Sequence, residues 1–325
     1  MKGTFVISLD YELHWGFFDN LSLEESRTRL NRVNTVIDKL LKLSDEHDIK
    51  LTFATVGFLF AKNKEHALSF LPEAQPSYND TSLDAYALLN TVTEDNSPYY
   101  FAYDTIQKIK SHGAHEIGTH TFSHYYCYEK GQDTNDFKAD MSSAIQIAKD
   151  HNISTKSIVF PRNQTLEPYV DVCEALGIES YRGNNWYNFN NNSKQLSLID
   201  YGRVALRVLD TYFNITGSNS YKLNNYNSKN SNIINIPASR FLRPYHNKLK
   251  FLEPLKVNRI KRAMTKAAKQ GNTYHLWWHP HNFGEHMNEN FDNLAQIFDH
   301  FSSLKRTHQF RSVTMSDLAS EYKRE

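Results

Sequence analysis

Cysteine is almost missing from this chain: Cys127 and Cys173 are the only two among 325 residues. That excludes a disulfide framework or a cysteine-rich metal site. Nine prolines and twelve glycines are too few for a collagen-like or linker-dominated chain. No apolar run approaches the roughly 18 residues that a membrane span needs. The start, MKGTFVISLDYELHW, meets an acid at Asp10, so it has neither the apolar length nor the cleavage pattern of a signal peptide. A cytoplasmic location is the expectation. Net charge is nearly absent too, since 37 Lys and Arg face 36 Asp and Glu, leaving +1. Nothing in the overall charge points to nucleic acid or a membrane surface. What remains is 40% hydrophobic and 13% aromatic, enough to bury a sizeable core.

Hydrophobic periodicity gives an alternation of strands and helices. Thr4 to Leu9 (TFVISL) suits a strand buried on both faces. A helix over 23–46 carries Val33, Ile37, Leu40 and Leu41 as its apolar stripe. Strands are expected at 50–56, 114–118, 157–160, 179–182, 233–236 and 274–278, with helices at 104–112, 135–150, 166–176, 255–269 and 290–304. A last strand and helix fill 311–322. Residues 62–100 read as an insertion with one short helix. The stretch 184–232 reads as a second insertion, because thirteen of its 49 residues are Asn, although 199–213 has a helical pattern. Strands alternating with helices imply a parallel sheet. The expected fold is α/β, a distorted (β/α)7 barrel with insertions, in one domain over residues 1–325.

The polar motifs fall at the ends of these strands, which a parallel barrel gathers on one rim. Asp10 and Glu12 follow the first strand, and alternation turns them to one side with Tyr11 on the other. HEIGTHTFSH, residues 115–124, places His120 and His124 four apart. Among 15 histidines, about one such pair is expected by chance, so spacing alone carries little. His275 and His279 repeat it, but inside a strand an i,i+4 pair stands more than roughly 10 Å apart and does not share a metal. On the rim, one carboxylate and two imidazoles would hold a divalent metal with positions open for water and substrate. The other carboxylate is then placed to accept a proton, His279 to protonate a leaving group, and Arg162 to orient the base or hold an anion. His281 competes with His279 for the acid role.

SLDYE, EIGTHTFSH, FPRN, the Trp186 region and LWWHPH, in this order, resemble the five motifs of the polysaccharide deacetylase superfamily (NodB homology, carbohydrate esterase family 4). The resemblance implies a distorted (β/α)7 barrel and metal-dependent hydrolysis of an acyl group on a sugar. It implies His120 and His124 as metal ligands with Glu12, Asp10 as base, His279 as acid and Arg162 as the arginine supporting the base. Asn163, Trp186 and His281 fall to substrate binding. The sequence departs from the family pattern where Tyr11 replaces a second aspartate, so the division of base and ligand between Asp10 and Glu12 stays open. No acid stands three residues before Trp186; that residue is Gly183. An Asp/Glu-His-His set accepts Zn, Fe, Co or Ni, with Zn the first choice.

The layout is most similar to bacterial deacetylases of surface-glycan (O-antigen) biosynthesis, which implies a nucleotide- or lipid-linked amino sugar as substrate. From Ser239 to Lys269 there are ten Lys and Arg and a single acid, Glu253. Arg240 and Arg243 are candidates for a substrate diphosphate, Arg203 and Arg207 weaker ones, and a solvated basic helix face or membrane-surface docking are the alternatives. Two rival functions stand beside the deacetylase: another metal-dependent amidohydrolase on the same scaffold, acting on a ureide or N-formyl group, and a non-catalytic sugar-binding protein. The sequence says nothing of oligomeric state.

Overall fold

The strand that the rest of the sheet is laid against is β1 (Thr4–Tyr11), and every one of its residues is buried. The computed structural model describes residues 2–184, 206–228 and 231–324. Alternation along β1 sorts its side chains into two layers. Phe5, Ile7, Leu9 and Tyr11 pack into the core under the helices, whereas Val6 joins Ala54, Val159, Ile234 and Val313 in a second cluster. Ser8, Asp10 and Glu12 share the parity of Val6 and turn with it into the barrel interior. Tyr11, standing where the family pattern has an acid, faces away from them and packs edge-on against Phe53.

Among the described residues eight more strands follow: β2 (Thr52–Thr55), β3 (Glu116–Thr119), β4 (Ser157–Ile158), β5 (Ser180–Tyr181), β6 (Ile234–Asn235), β7 (Arg240–Phe241), β8 (Thr273–Trp278) and β9 (Arg311–Ser312). Among the described residues these strands pair in parallel, in the order β6-β5-β4-β3-β2-β1-β8-β7, with β9 paired to the start of β1; Tyr221 adds an isolated antiparallel bridge to Thr273. The two ends of that order are one stretch of chain. Residues 234–236 bond to β5, Ala238 N–H donates to Gly183, and Ser239 N–H donates to His275 on β8. One bent segment therefore links both edges of the sheet, giving a distorted (β/α)7 barrel. β7 escapes a periodicity reading because it is the second half of that segment.

The covering helices match the sequence pattern closely, with two differences. The long first helix is two, α1 (Leu23–Leu30) and α2 (Val33–His47). A capping box between Ser22 and Glu25 starts α1. It ends where the backbone of Arg29 meets Gly284; a Cβ on Gly284 would lie 2.4 Å from the Arg29 carbonyl oxygen. The 62–100 insertion holds two short helices, α3 (Lys64–Leu68) and α4 (Ala85–Asn90), not one, and each is started by an Asn or Asp cap. The remaining helices are α5 (Tyr103–Ser111), α6 (Thr134–Asp150), α7 (Glu167–Ala175), α8 (Glu253–Gln270), α9 (Met287–His308) and α10 (Met315–Arg324). Residues 206–212 are helical as well. Among the described residues no helix is long and apolar enough to cross a membrane.

Candidate metal centre

Among the described residues, three clusters of His and carboxylate bring their ligand atoms within 4.8 Å of one another: Glu12 with His120 and His124, Asp45 with His112 and His115, and Asp150 with His66 and His151. Hydrogen bonds to the imidazoles separate them. His120 Nδ1 lies 2.7 Å from the Val159 carbonyl, so Nδ1 must carry the proton. Its Nε2 lone pair then points at a carboxylate oxygen, Glu12 Oε2, 3.4 Å away. Two lone pairs facing each other in a buried site require a cation or an extra proton between them. In the other clusters the assignment is reversed. The backbone N–H of Lys62 donates to His66 Nδ1 at 3.2 Å, and that of Leu51 to His115 Nδ1 at 3.3 Å. Their Nε2 atoms therefore bear hydrogen, and His66 spends its own on Asp150 at 3.5 Å.

The spacing of the first cluster also fits an ion. Glu12 Oε2 is 3.4 Å from His120 Nε2 and 3.3 Å from His124 Nε2. Tetrahedral donors at zinc distances of about 2.0–2.1 Å stand roughly 3.3–3.4 Å apart. All three side chains are buried. Burial raises the Glu12 carboxyl, but the neighbouring charge of His279, first among the opposing causes, and the close His120 and His124 rings outweigh it and hold it well below the usual range. Burial also keeps His124 neutral down to about pH 4. The glutamate has room because Gly16 follows it: a Cβ there would sit 2.0 Å from the Glu12 carboxyl carbon. That glycine, four residues after the acid, is a signal the sequence reading missed.

The two histidines come from a loop, not a helical turn. His120 N–H bonds to Thr55 on β2 at 2.9 Å. Thr121 and His124 both adopt left-handed backbone, φ 64 and 60, conformations that non-glycine residues hold only when their surroundings impose them. The imposing group is Asp140, a fully buried carboxylate on α6. It accepts from Phe122 N–H at 2.7 Å, from Ser123 N–H at 3.2 Å, from the Ser123 hydroxyl, and from Tyr86 O–H at 2.7 Å. Burial nevertheless lifts its carboxyl to about 6.

Asp10 is held in a second buried assembly. Arg182, 0% exposed, grips both of its oxygens at 2.6 and 2.7 Å, the bidentate fork that suits arginine. The same guanidinium donates to Ser8 Oγ at 3.0 Å and to Asn163 Oδ1 at 2.9 Å, and lies 4.1 Å over the Trp277 ring. Ser8 Oγ in turn pairs with His275 Nε2 at 2.8 Å, and His275 Nδ1 faces the Ile236 carbonyl at 3.1 Å. Burial works to raise Asp10, and the Arg182 charge and hydrogen bonds more than offset it, leaving it below the ordinary carboxylate value. His279 Nε2 stands 3.8 Å from Asp10 Oδ2 and 3.6 Å from Glu12 Oε1, with its side chain 24% exposed at the mouth.

The structure thus gathers Asp10, Glu12, His120, His124 and His279, and it corrects four expectations. Arg162 does not reach Asp10; it pairs with Asp19 at 2.6 Å and lies over the Tyr126 ring. The arginine on Asp10 is Arg182, at the end of β5, where the strand-end rule could have found it. Asn163 turns its side-chain oxygen to Arg182, not to open space. His281 is buried against Phe17 with its pKa pushed down to about 3, so burial keeps it neutral behind His279. Arg240 is buried on Asp210, at 3.1 Å, and is not a surface anion ligand. Trp186 and Arg203 lie outside the described residues.

Comparison with known proteins gives the family and the fold. The family profile described as polysaccharide deacetylase matches residues 17–181, just over half of the 325 residues. The chain belongs to this polysaccharide deacetylase family, whose members are hydrolases that deacetylate carbohydrates and are in general metalloenzymes. No curated protein matches the chain. Among solved structures, a protein assigned as a polysaccharide deacetylase from Mycobacterium smegmatis superposes with TM-score 0.61 at 11% identity, covering 100% of this chain and 92% of that one. Another so assigned, from Pseudomonas aeruginosa PAO1, gives 0.56 at 13% identity over 99% and 90%. A PuuE allantoinase gives 0.53 at 14% identity over 98% and 89%. At these identities the likeness is one of fold.

Proposed function

We propose that this protein removes an N-acyl group, acetyl first among them, from an amino sugar, with Glu12, His120 and His124 holding one divalent transition metal, zinc being the best fit. The observation that carries the reading is the His120 tautomer: its proton is committed to Val159, and its free lone pair faces a carboxylate. A metal in that donor set supplies Lewis-acid polarisation of the acyl carbonyl and makes water acidic enough to attack at neutral pH.

The chain's own residues supply the proton transfers. Asp10, fixed at both oxygens by Arg182, accepts the proton of the attacking water. Its lowered pKa keeps it ionised and ready throughout the neutral range. His279, across the gap and partly open to solvent, delivers a proton to the amine as the C–N bond breaks. A C–O bond forms, and the products are a carboxylate and the free amino sugar. Its partly exposed placement suits His279 for this exchange, whereas His281, buried and neutral, lacks the imidazolium proton that a general acid gives. The sugar is proposed to be nucleotide- or lipid-linked, in surface-polysaccharide biosynthesis.

The test is acetate release from nucleotide-linked N-acetylamino sugars. Release is expected to stop with a chelator, return with added zinc, and fall at least about 1,000-fold in Asp10→Asn, as for loss of a general base with its electrostatic partner. Hydrolysis of ureides or N-formyl compounds, with none of acetamido sugars, contradicts the reading and favours another amidohydrolase.

A further inference from the structure

The basic stretch after β6 divides on folding. Arg240 and Arg259 turn inward and share Asp210, at 3.1 and 2.7 Å. Lys256 pairs with Glu253 at 2.5 Å. Arg243 of this stretch, and Arg207 on the helix beside it, stand outside that neutralisation. Arg243 spends its Nε on Thr211 Oγ1 at 2.9 Å, and the Thr211 hydroxyl donates to the Arg207 carbonyl at 3.0 Å. Thr211 stands one helical turn after Arg207, on the same helix face, so the guanidinium bonded to its hydroxyl lies beside the Arg207 position. Neither forms an ion pair with a carboxylate among the described residues, and Arg207 Nε is buried with no hydrogen-bond partner. Burial lowers the pKa of Arg243, and the nearby charge of Arg207 lowers it further. Two partly buried guanidiniums that repel each other are costly to hold unless an anion joins them.

Their position ties them to the active site. Arg243 follows β7 by two residues and shares the parity of Phe241, whose ring lies 5.8 Å from His279 and 4.7 Å from Trp277. The cluster is thus on the rim that holds the proton donor, about two residues, or roughly 7 Å, further out. Beside it, Leu206 and Leu209 are 55 and 47% exposed at i and i+3 on the same short helix, and Phe213, just past its end, is 48% exposed.

We infer that Arg207 and Arg243 form a subsite for a phosphate or diphosphate carried by the sugar substrate, an inference that rests on the deacetylase reading for its substrate but not for its anion. Paired guanidinium forks match phosphate oxygens and would neutralise both charges at once.

Calorimetric titration with inorganic pyrophosphate on the full chain tests it. Arg243→Gln and Arg207→Gln are each expected to weaken binding at least tenfold, and Lys266→Gln, exposed on α8, less than twofold. Zinc content should stay unchanged in all three, which separates failure of this inference from failure of the metal site. Arg207→Gln, at a partly exposed position, stands in should Arg243→Gln not fold. Uridine diphosphate and geranyl diphosphate distinguish the source of the anion. Tighter uridine diphosphate supports a nucleotide-linked sugar, and tighter geranyl diphosphate supports a lipid-linked one docked along Leu206, Leu209 and Phe213. Equal pyrophosphate binding by wild type and both arginine variants, or none by wild type, overturns the subsite.

Discussion

Arg182→Met is expected to cost about 3–5 kcal/mol of stability, the penalty for leaving a buried charge without its partner, and to lower kcat on the order of 100-fold through loss of positioning. The sign of its pH dependence follows from Asp10. In the wild type Asp10 titrates below the ordinary carboxylate value because Arg182 outweighs burial. Its contribution to stability is therefore present above the unfolded pKa and is lost as pH falls through the folded one. Without Arg182, burial, the largest single cause, is opposed only by the charges of His279 and His120 and is expected to raise the same group, so ionising it costs stability as pH rises. The deficit of the variant should be small in acid and open as pH climbs past the usual carboxylate range. Urea unfolding of chelator-treated protein across that range measures it. A deficit that does not change with pH would show that Arg182 acts only by filling space. Arg182→Lys should rescue poorly, because an ammonium cannot grip both oxygens.

Asp140→Ala has the second large effect. It removes the acceptor of four donors, from Phe122 N–H, Ser123 N–H, the Ser123 hydroxyl and Tyr86 O–H. Each buried donor left unpaired costs about 1–3 kcal/mol, so a loss of about 3 kcal/mol or more is expected. The same bonds hold the left-handed backbone on either side of the loop, at φ 64 for Thr121 and 60 for His124. Zinc affinity should thus fall more than tenfold, as when a group that orients metal ligands is removed. Retention of wild-type affinity at reduced stability would limit Asp140 to a scaffold role. Asp140→Asn separates charge from shape. The folded carboxyl is raised to about 6, so this group's contribution to stability is lost as pH rises from the ordinary aspartate range through 6. The asparagine variant, which cannot ionise, should flatten that part of the profile.

Much of this site was legible before folding was considered. Alternation along 4–11 put Asp10 and Glu12 together and Tyr11 opposite, and the barrel keeps that arrangement because a strand has period 2. Strand-end placement brought His120, His124 and His279 to one rim. What the sequence could not reveal was which long-range partner each charge finds. Arg162 and Arg182 both end strand-like segments, and only the folded ring places one of them on Asp10 and the other on Asp19. Arg240 and Arg243 are three residues apart, yet one is buried on Asp210 and the other bonds to Thr211. Period-2 logic separates their faces, but Asp210 arrives from an Asn-rich insertion whose path no local pattern predicts. The break between α1 and α2 has the same origin, in the approach of Gly284 to Arg29.

The central claim, that Glu12, His120 and His124 hold a metal and the other two His/carboxylate clusters do not, is tested most directly by metal content. Plasma mass spectrometry on protein purified without chelator should find about one transition-metal ion per wild-type chain. His120→Ala/His124→Ala should hold almost none, and His66→Ala/His151→Ala should match wild type. Equal metal in wild type and His120→Ala/His124→Ala, or metal lost only with His66 and His151, would contradict the account.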